Sequence, residues 1–413
     1  MKGFTQGKVW WLSDRWNEGV MSVDIKEIQK QLNREGYDGW LFMDHHHRDP
    51  IAYRILSLDA ASHVTRRWYY WIPAQGEPCK LSHVIEPHVL KSLPGEDQEY
   101  ASWDQQQHQL VTILGDAKRV AMQYSPNGMI PYISLVDGGT IDLIRSMGIE
   151  VVSSASLIQF FEARWTEHQY ALHLEAGRRM DAIRAAAFRE TGRRIQTAGS
   201  VHEMEIADFI RSRFREEGLL STEGPVVAVN AHASDPHYCP DQKSSMVITR
   251  GDFVLMDMWA KLDQPGSVYY DITWVGFCGS SVPPEIQNVF SVVKAARDRA
   301  VALVDKKIRE GQNLAGWEVD QATRDYLSEQ GYADAMLHRT GHSIGEEVHG
   351  NGVNLDCFES HDNRPIVPGV AFSIEPGLYF PSFGVRSEIN CYVDHQSAQP
   401  TGETQKEIIS ILP

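Results

Sequence analysis

The sequence predicts an α/β (α+β) chain of two domains. Helical and strand patterns alternate up to about residue 155, strand pattern gives way to helix between Ala155 and Trp165, and long helices then alternate with apolar strands. At 413 residues the chain has room for two or three domains, and 42% hydrophobic residues can supply a large core. The boundary is expected to divide residues 1–159 from 160–413.

In the first domain, Ile25 to Gly36 reads as an amphipathic helix closed by its glycine, and Gly39 to Met43 as a short buried strand. Arg67 to Pro73 is aromatic and β-prone and runs into the turn AQGEP. Arg119 to Gln123 is another strand, before the turn SPNG. This alternation predicts a mixed sheet. In the second domain, Thr166 with Gln169 makes a capping-box pattern that opens a helix to about Gly192, and Ser200 with Glu203 repeats it before a helix to about Gly218. Pro284 to Gly311 and Val319 to Gly331 read as two further helices closed by glycine. Low complexity is confined to His45-His46-His47. Three adjacent side chains of a strand cannot all face one ion, so this run reads as an exposed loop.

Charge and cysteine usage exclude several classes. A formal net charge of -16 opposes both a nucleic-acid polyanion and an anionic membrane surface as partner. The N-terminus MKGFTQGKVWWLSDRWNEGV has no continuous apolar stretch of the signal-peptide kind, and no later segment has an uncharged run of membrane-spanning length. Cys79, Cys239, Cys278, Cys357 and Cys391 are odd in number and scattered without a CxxC pair, as expected of reduced thiols that mostly fill a core. The expected compartment is the cytoplasm.

The chemistry lies between Asp257 and Glu388. In order, VLMDMW carries Asp257 at the end of an apolar strand, VYYDITW Asp271 at the start of another, GHSIG His342, FSIEPGLY Glu375 and GVRSEIN Glu388. Any one of these could be a surface acid or a core histidine. Together they place carboxylates inside apolar or aromatic stretches, where an unpaired charge costs several kcal/mol. Two divalent cations would cancel the four negative charges, and a donor set of oxygens with one imidazole suits Mn, Co, Fe or Zn better than a thiolate-preferring ion. Asp263 is the rival ligand, but KLDQPG is the setting of a solvated turn. Arg386 shares a strand face with Glu388 by the period of two. It could hold Glu388, bind a substrate carboxylate, or make a plain salt bridge. His232 reads as structural.

The order Asp, Asp, His, Glu, Glu, with GHSIG and IEPGLY, resembles the creatinase, prolidase and aminopeptidase P group of pita-bread metallopeptidases (M24), in particular the bacterial Xaa-Pro peptidases. The resemblance covers nearly the whole chain. It implies a creatinase-type N-terminal domain followed by a catalytic domain with a curved antiparallel sheet inside and helices outside. It also implies two divalent metal ions, manganese first, with cobalt, zinc or iron as the other choices. Asp257 would chelate one ion, Asp271 and Glu388 would bridge both, and His342 and Glu375 would complete the set. Glu375 would also move the proton of the attacking water. His349 and His237 would contact the substrate carbonyl, and His338 would line the pocket. The implied reaction is hydrolysis of a peptide with proline in second place, by an Xaa-Pro aminopeptidase or dipeptidase acting as a homodimer or tetramer.

Three departures keep alternatives open. The loop between Asp257 and Asp271 is longer than the family's usual one, Trp274 stands where an arginine is frequent, and Ile389 where an acid is frequent. A metal-dependent small-molecule enzyme on the same fold, such as an ectoine-derivative hydrolase or a sulfonium-compound lyase, is the main alternative. A metal-free creatinase-like amidinohydrolase and a non-enzymatic binding protein stand behind it, because all five ligand-type residues are present.

Overall fold

The computed structural model of the protein describes residues 23–241 and 243–413. The N-terminal segment read above as lacking a signal peptide therefore lies, up to Ser22, outside the described residues. The chain forms two compact units that meet in sequence at Glu162 and Ala163.

In the first unit, helices α1 (Ile25–Glu35), α2 (Pro50–Leu56), α3 (Trp103–Leu114), α4 (Gly138–Ser146) and α5 (Ala155–Ile158) accompany six strands among the described residues. The strands are β1 (Gly39–Asp44), β2 (Trp68–Pro73), β3 (Cys79–His83), β4 (Glu96–Tyr100), β5 (Arg119–Met122) and β6 (Glu150–Ser153). They form one mixed sheet in the order β4-β3-β2-β1-β5-β6, as the alternating pattern predicts. The Asp24 carboxylate accepts the Glu27 amide at the start of α1, and Gly36 ends the helix at φ 67°, a left-handed conformation that glycine adopts without Cβ strain. β1 is buried on both faces. Trp40 and Phe42 join one core cluster, while Leu41 and Met43 join another. At its end, buried Asp44 accepts the amides of His47, Arg48 and Asp49 and the Tyr53 hydroxyl. The histidine run is thus a backbone turn closed on one carboxylate, with His46 and His47 exposed.

The second unit contains α6 (Glu167–Ala198), α7 (Glu203–Glu216), α8 (Pro284–Arg309) and α9 (Gly316–Glu329). Its strands begin with β7 (Val201–His202), β8 (Leu219–Leu220), β9 (Val226–Val229), β10 (Val247–Ile248), β11 (Phe253–Leu262) and β12 (Tyr270–Phe277). They continue with β13 (Ala371–Ile374), β14 (Gly377–Phe380), β15 (Phe383–Arg386), β16 (Ile389–Val393), β17 (Ala398–Pro400) and β18 (Ile409–Ser410). β11 is central, with β12 antiparallel along its length and β9 and β8 on its other edge. β13, β16 and β17 form a second antiparallel sheet, and β14 and β15 a hairpin. The described strands are antiparallel as expected, except that β18 adds to β12 in parallel.

Four local expectations are corrected. The Thr166 and Gln169 capping box forms, but α6 continues through Gly192 to Ala198. Gly192 marks a close approach: a Cβ there would lie 2.4 Å from the Ile411 carbonyl oxygen. α7 is capped at His202 by Glu205, not at Ser200 by Glu203, whose carboxylate is turned inward. α9 opens at Gly316 rather than Val319, because the Glu318 carboxylate accepts the Ala315 amide at 2.7 Å. Finally, β11 does not end at Asp257 but runs five residues past it.

β11 and β12 assign the two faces of the sheet different tasks. Val254, Met256, Met258, Ala260, Tyr270, Ile272 and Trp274 pack with α6 and α7, whereas Phe253, Leu255, Val275 and Phe277 pack with α8. By the same alternation Asp257, Asp271 and Thr273 lie on the α8 side. Trp274 therefore points away from the acids, and its ring lies 3.5 Å from the Arg184 guanidinium of α6. The substitution noted in the sequence belongs to the helix-facing core.

His173 on α6 is fully buried, with Nδ1 2.7 Å from the Tyr269 carbonyl oxygen and Nε2 2.7 Å from the Thr401 hydroxyl. Burial pushes its pKa down to about 4. Below the unfolded value near 6.5 the unfolded chain takes a proton that the folded one refuses. Its contribution to stability is therefore whole above that value and is lost as the pH falls towards about 4, by up to about 3 kcal/mol. Denaturant titrations of metal-free protein at pH 7 and pH 5 are expected to show this loss. His173→Gln should flatten the slope between the two, and an unchanged slope would assign it to other groups.

Candidate metal centre

The central pair of strands places the first two acids. Asp257 lies opposite Thr273 and Asp271 opposite Trp259, so the two aspartates are diagonal neighbours on one face. Glu375 occupies the break between β13 and β14, its amide bonded to the Thr340 carbonyl at 2.8 Å. The hairpin β14–β15 then returns the chain to Glu388, whose amide donates to the Thr273 carbonyl at 3.1 Å. His342 is held beside β13 by a pair of bonds, its amide to Ser373 Oγ and the Ser373 amide to its carbonyl.

The side chains converge. Ligand atoms of Asp271, His342 and Glu388 all lie within 4.8 Å of one another, and His342 Nε2 is 3.5 Å from Asp271 Oδ2 and 3.4 Å from Glu375 Oε1. His342 Nδ1 is 3.1 Å from the Ser343 carbonyl, an acceptor only, so Nδ1 carries the proton and the lone pair of Nε2 faces the two carboxylates. Burial also lowers the pKa of His342, against the nearby charge of Glu375. A lone pair set against carboxylate oxygens is repulsive unless a proton or a cation stands between them.

The acids carry the same signature. Burial first, then the charges of Asp257 and Glu375, push the Asp271 carboxyl well above the usual range. Burial, Asp271 and Glu375 do the same to Glu388. Asp257 Oδ1 and Asp271 Oδ1 are buried without a hydrogen-bond donor among the described residues. Oxygen donors with one imidazole, charge in excess and orphaned lone pairs together fit a divalent cation site.

Arg386 is the buried counter-charge. Its Nη2 pairs with Asp257 Oδ2 at 2.5 Å, its Nε donates to Thr273 Oγ1 at 3.0 Å and its Nη1 to the Tyr379 hydroxyl at 3.0 Å. Thr273 in turn donates to Glu388 Oε2 at 2.7 Å. Of the roles left open by the sequence, the guanidinium here grips Asp257 directly and reaches Glu388 through Thr273. Tyr379 and Thr273 were not singled out from the sequence. Each lay within reach: Thr273 is two residues past Asp271 on the same face, and Tyr379 closes the motif IEPGLY.

His338 and His349 adjoin this cluster. The His338 Nε2 is 2.6 Å from the Tyr379 hydroxyl, and burial with the nearby Arg386 charge pushes its pKa down to about 4. The His349 ring meets His342 edge to face at 4.4 Å between centroids, with its outer side exposed. Desolvation, then the charges of His342, Arg339 and His237, hold its pKa below the ordinary imidazole value. His237 is exposed on the segment after β9, which rests on the hairpin: Ser234 Oγ donates to the Phe380 carbonyl, and a Cβ on Gly384 would lie 2.0 Å from the Ala233 carbonyl oxygen. Glycine at 377 and 384 also clears the Tyr379 ring, which a Cβ at either position would approach within 2.7 Å. Asp263 is exposed in the turn after β11, and His232 is bonded to Glu203, away from the cluster.

Residues 172–395 match the model of metallopeptidase family M24, and the chain belongs to that family. It is 29% identical over 210 residues to a probable dipeptidase PepE of Mycobacterium tuberculosis, covering 51% of this chain and 52% of that one. It is 28% identical over 210 residues to an Xaa-Pro dipeptidase of Pyrococcus furiosus, covering 50% and 55%. The chain thus spans about half the length of these relatives. Among solved structures, the dipeptidase PepE from Mycobacterium ulcerans superimposes with a TM-score of 0.69 at 23% identity over 94% of this chain and 97% of that one. The prolidase from Pyrococcus horikoshii does so with 0.62 at 21% identity over 93% and 99%. These likenesses establish the pita-bread fold.

Without cations the buried acids oppose folding. Asp271→Asn and Glu388→Gln are each expected to stabilise chelator-treated protein by roughly 1–3 kcal/mol, and to abolish the rise in melting temperature expected when a divalent cation is added to the parent. Calorimetry with and without chelator measures both. Destabilised variants in chelator would show that these carboxylates are satisfied without metal.

Proposed function

We propose that this chain is a dinuclear-metal hydrolase that cleaves the peptide bond beside proline, as an Xaa-Pro dipeptidase or aminopeptidase. The observation that carries the reading is the convergence of His342 Nε2 on Asp271 Oδ2 at 3.5 Å and Glu375 Oε1 at 3.4 Å. Asp257, Asp271, His342, Glu375 and Glu388 would hold the ions, Mn in the first instance. When bound, these would lower the pKa of a water and polarise the scissile carbonyl, so that a nucleophile exists at neutral pH.

The chain's own groups do the rest. Glu375 accepts the proton of the attacking water and passes it to the leaving nitrogen. It is suited to this because Ser373 Oγ donates to Oε1 at 3.1 Å and fixes the carboxylate without neutralising it. His349 and His237 donate to the oxygen on which charge develops, and Arg386 with Thr273 keeps Asp257 and Glu388 oriented. Membership of the family supports a peptide substrate, and the relatives of similar sequence include an Xaa-Pro dipeptidase. The reading includes the two-domain division, a cytoplasmic setting and self-association. Five free cysteines, three of them buried, agree with a reducing compartment, and no described helix is long and apolar enough to cross a membrane.

The test is hydrolysis, with Mn, of a panel of Xaa-Pro dipeptides, longer Xaa-Pro peptides, creatine and ectoine. Proline released from dipeptides alone selects a dipeptidase and trimming of longer peptides an aminopeptidase. Turnover of creatine or ectoine without either would overturn the proposal. Asp271→Ala and Glu388→Ala are expected to abolish turnover and metal uptake together. His349→Ala should keep its metal, measured by elemental analysis, while kcat falls on the order of 10²-fold. Loss of metal in that variant would sink the assignment of His349.

A further inference from the structure

Glu203 is a buried acid that the reaction does not use. It is the first residue of α7, its side chain is 0% exposed, and its oxygens accept from four donors. Oε1 takes the Val229 amide at 2.7 Å, and Oε2 takes the Tyr238 hydroxyl at 2.6 Å and the Met246 amide at 2.7 Å. His232 Nδ1 lies 3.0 and 3.1 Å from the two oxygens. All four donors belong to one stretch of chain, in which His237 is the neighbour of Tyr238. Tyr238 also packs on the His232 ring, with centroids 4.1 Å apart.

A carboxylate that takes up four donors after desolvation is satisfied only in one arrangement of those donors, because each lost bond leaves a buried oxygen short. The stretch is also anchored before His232, where Asn230 donates to Asp252 at 2.8 Å and accepts the Phe253 amide at 2.9 Å. It rests on the β14–β15 hairpin at Ala233 and Ser234, and Asp235 accepts the His237 amide at 2.9 Å within the turn itself. His237 is therefore suspended between the hairpin, which carries Arg386 and Tyr379, and Tyr238, which Glu203 holds.

We infer that Glu203 is a positioning residue that fixes the segment Asn230–Tyr238 and thereby sets the place of His237 over the metal centre. The inference rests on the role of His237 proposed above. The charge is essential to it: a glutamine at 203 offers one acceptor oxygen and an NH2 that meets donors head on, so it cannot hold the four partners together.

The test is a double-mutant cycle on the full chain with Mn and an Xaa-Pro dipeptide, together with amide hydrogen exchange of the same proteins. Glu203→Gln is expected to keep the metal content of the parent, to exchange faster at Val229 and Met246, and to lose on the order of 10–100-fold in kcat/KM. In a His237→Ala background the same change should cost less than about threefold, since its target is gone. An undiminished loss in that background would overturn the inference, because Glu203 would then act through the fold at large. Should Glu203→Gln fail to fold, Tyr238→Phe removes one of the four donors and enters the same cycle with the same two outcomes. If the parent splits no Xaa-Pro substrate, the functional proposal falls, and exchange decides this one alone: unchanged protection at Val229 and Met246 in Glu203→Gln refutes the clamp.

Discussion

Four carboxylates and an imidazole brought to one face of a sheet impose the constraint around which the second unit is built. Their mutual repulsion and desolvation would scatter them. They are kept together by rigid backbone, with Asp257 and Asp271 on paired strands, Glu375 and Glu388 at the two ends of a hairpin, and His342 bonded to the strand beside it. Within the protein the compensating charge is the buried Arg386, which cannot balance four acids by itself. The remainder is the physical demand for cations, and it is visible in the raised pKa values of Asp271 and Glu388.

The two faces of the β11–β12 pair separate stability from chemistry. Their α6-facing side chains are apolar or, at Trp274, covered by a guanidinium, so that face contributes burial. The opposite face begins as core against α8 and ends in the acids. Alternation along two strands therefore lets one element serve both purposes, and the helix-side departure at Trp274 leaves the acid side unaltered.

Much of this was legible in the sequence because it is written in local signals. The strand GWLFMD, the Thr166 capping box and the glycine closing α1 each depend on neighbours a few residues away. The metal-type acids were legible for a different reason: a charge inside an apolar run needs a partner. What stayed hidden depends on distant contacts. Gly192 looked like a helix stop, because the carbonyl of Ile411 that needs its missing side chain is 219 residues away in sequence. Glu203 looked like half of a capping box because its spacing from Ser200 fits. Only the fold brings Val229, His232, Tyr238 and Met246 to it, while Glu205 takes the cap. Asp257 was read as a strand end because its charge closes the apolar run FVLM, although β8 pairs with the strand beyond it.

The glycines on either side of Tyr379 have a consequence for how this scaffold can diversify. With no side chain at 377 or 384, the ring is fitted against bare main chain, and Ala233 lies in van der Waals range of the same bare surface. A larger residue at 377 would meet the tyrosine, and one at 384 would meet both the tyrosine and the His237 segment. Variation in what the site accepts must therefore arise away from these two positions, while the hairpin remains a fixed keel.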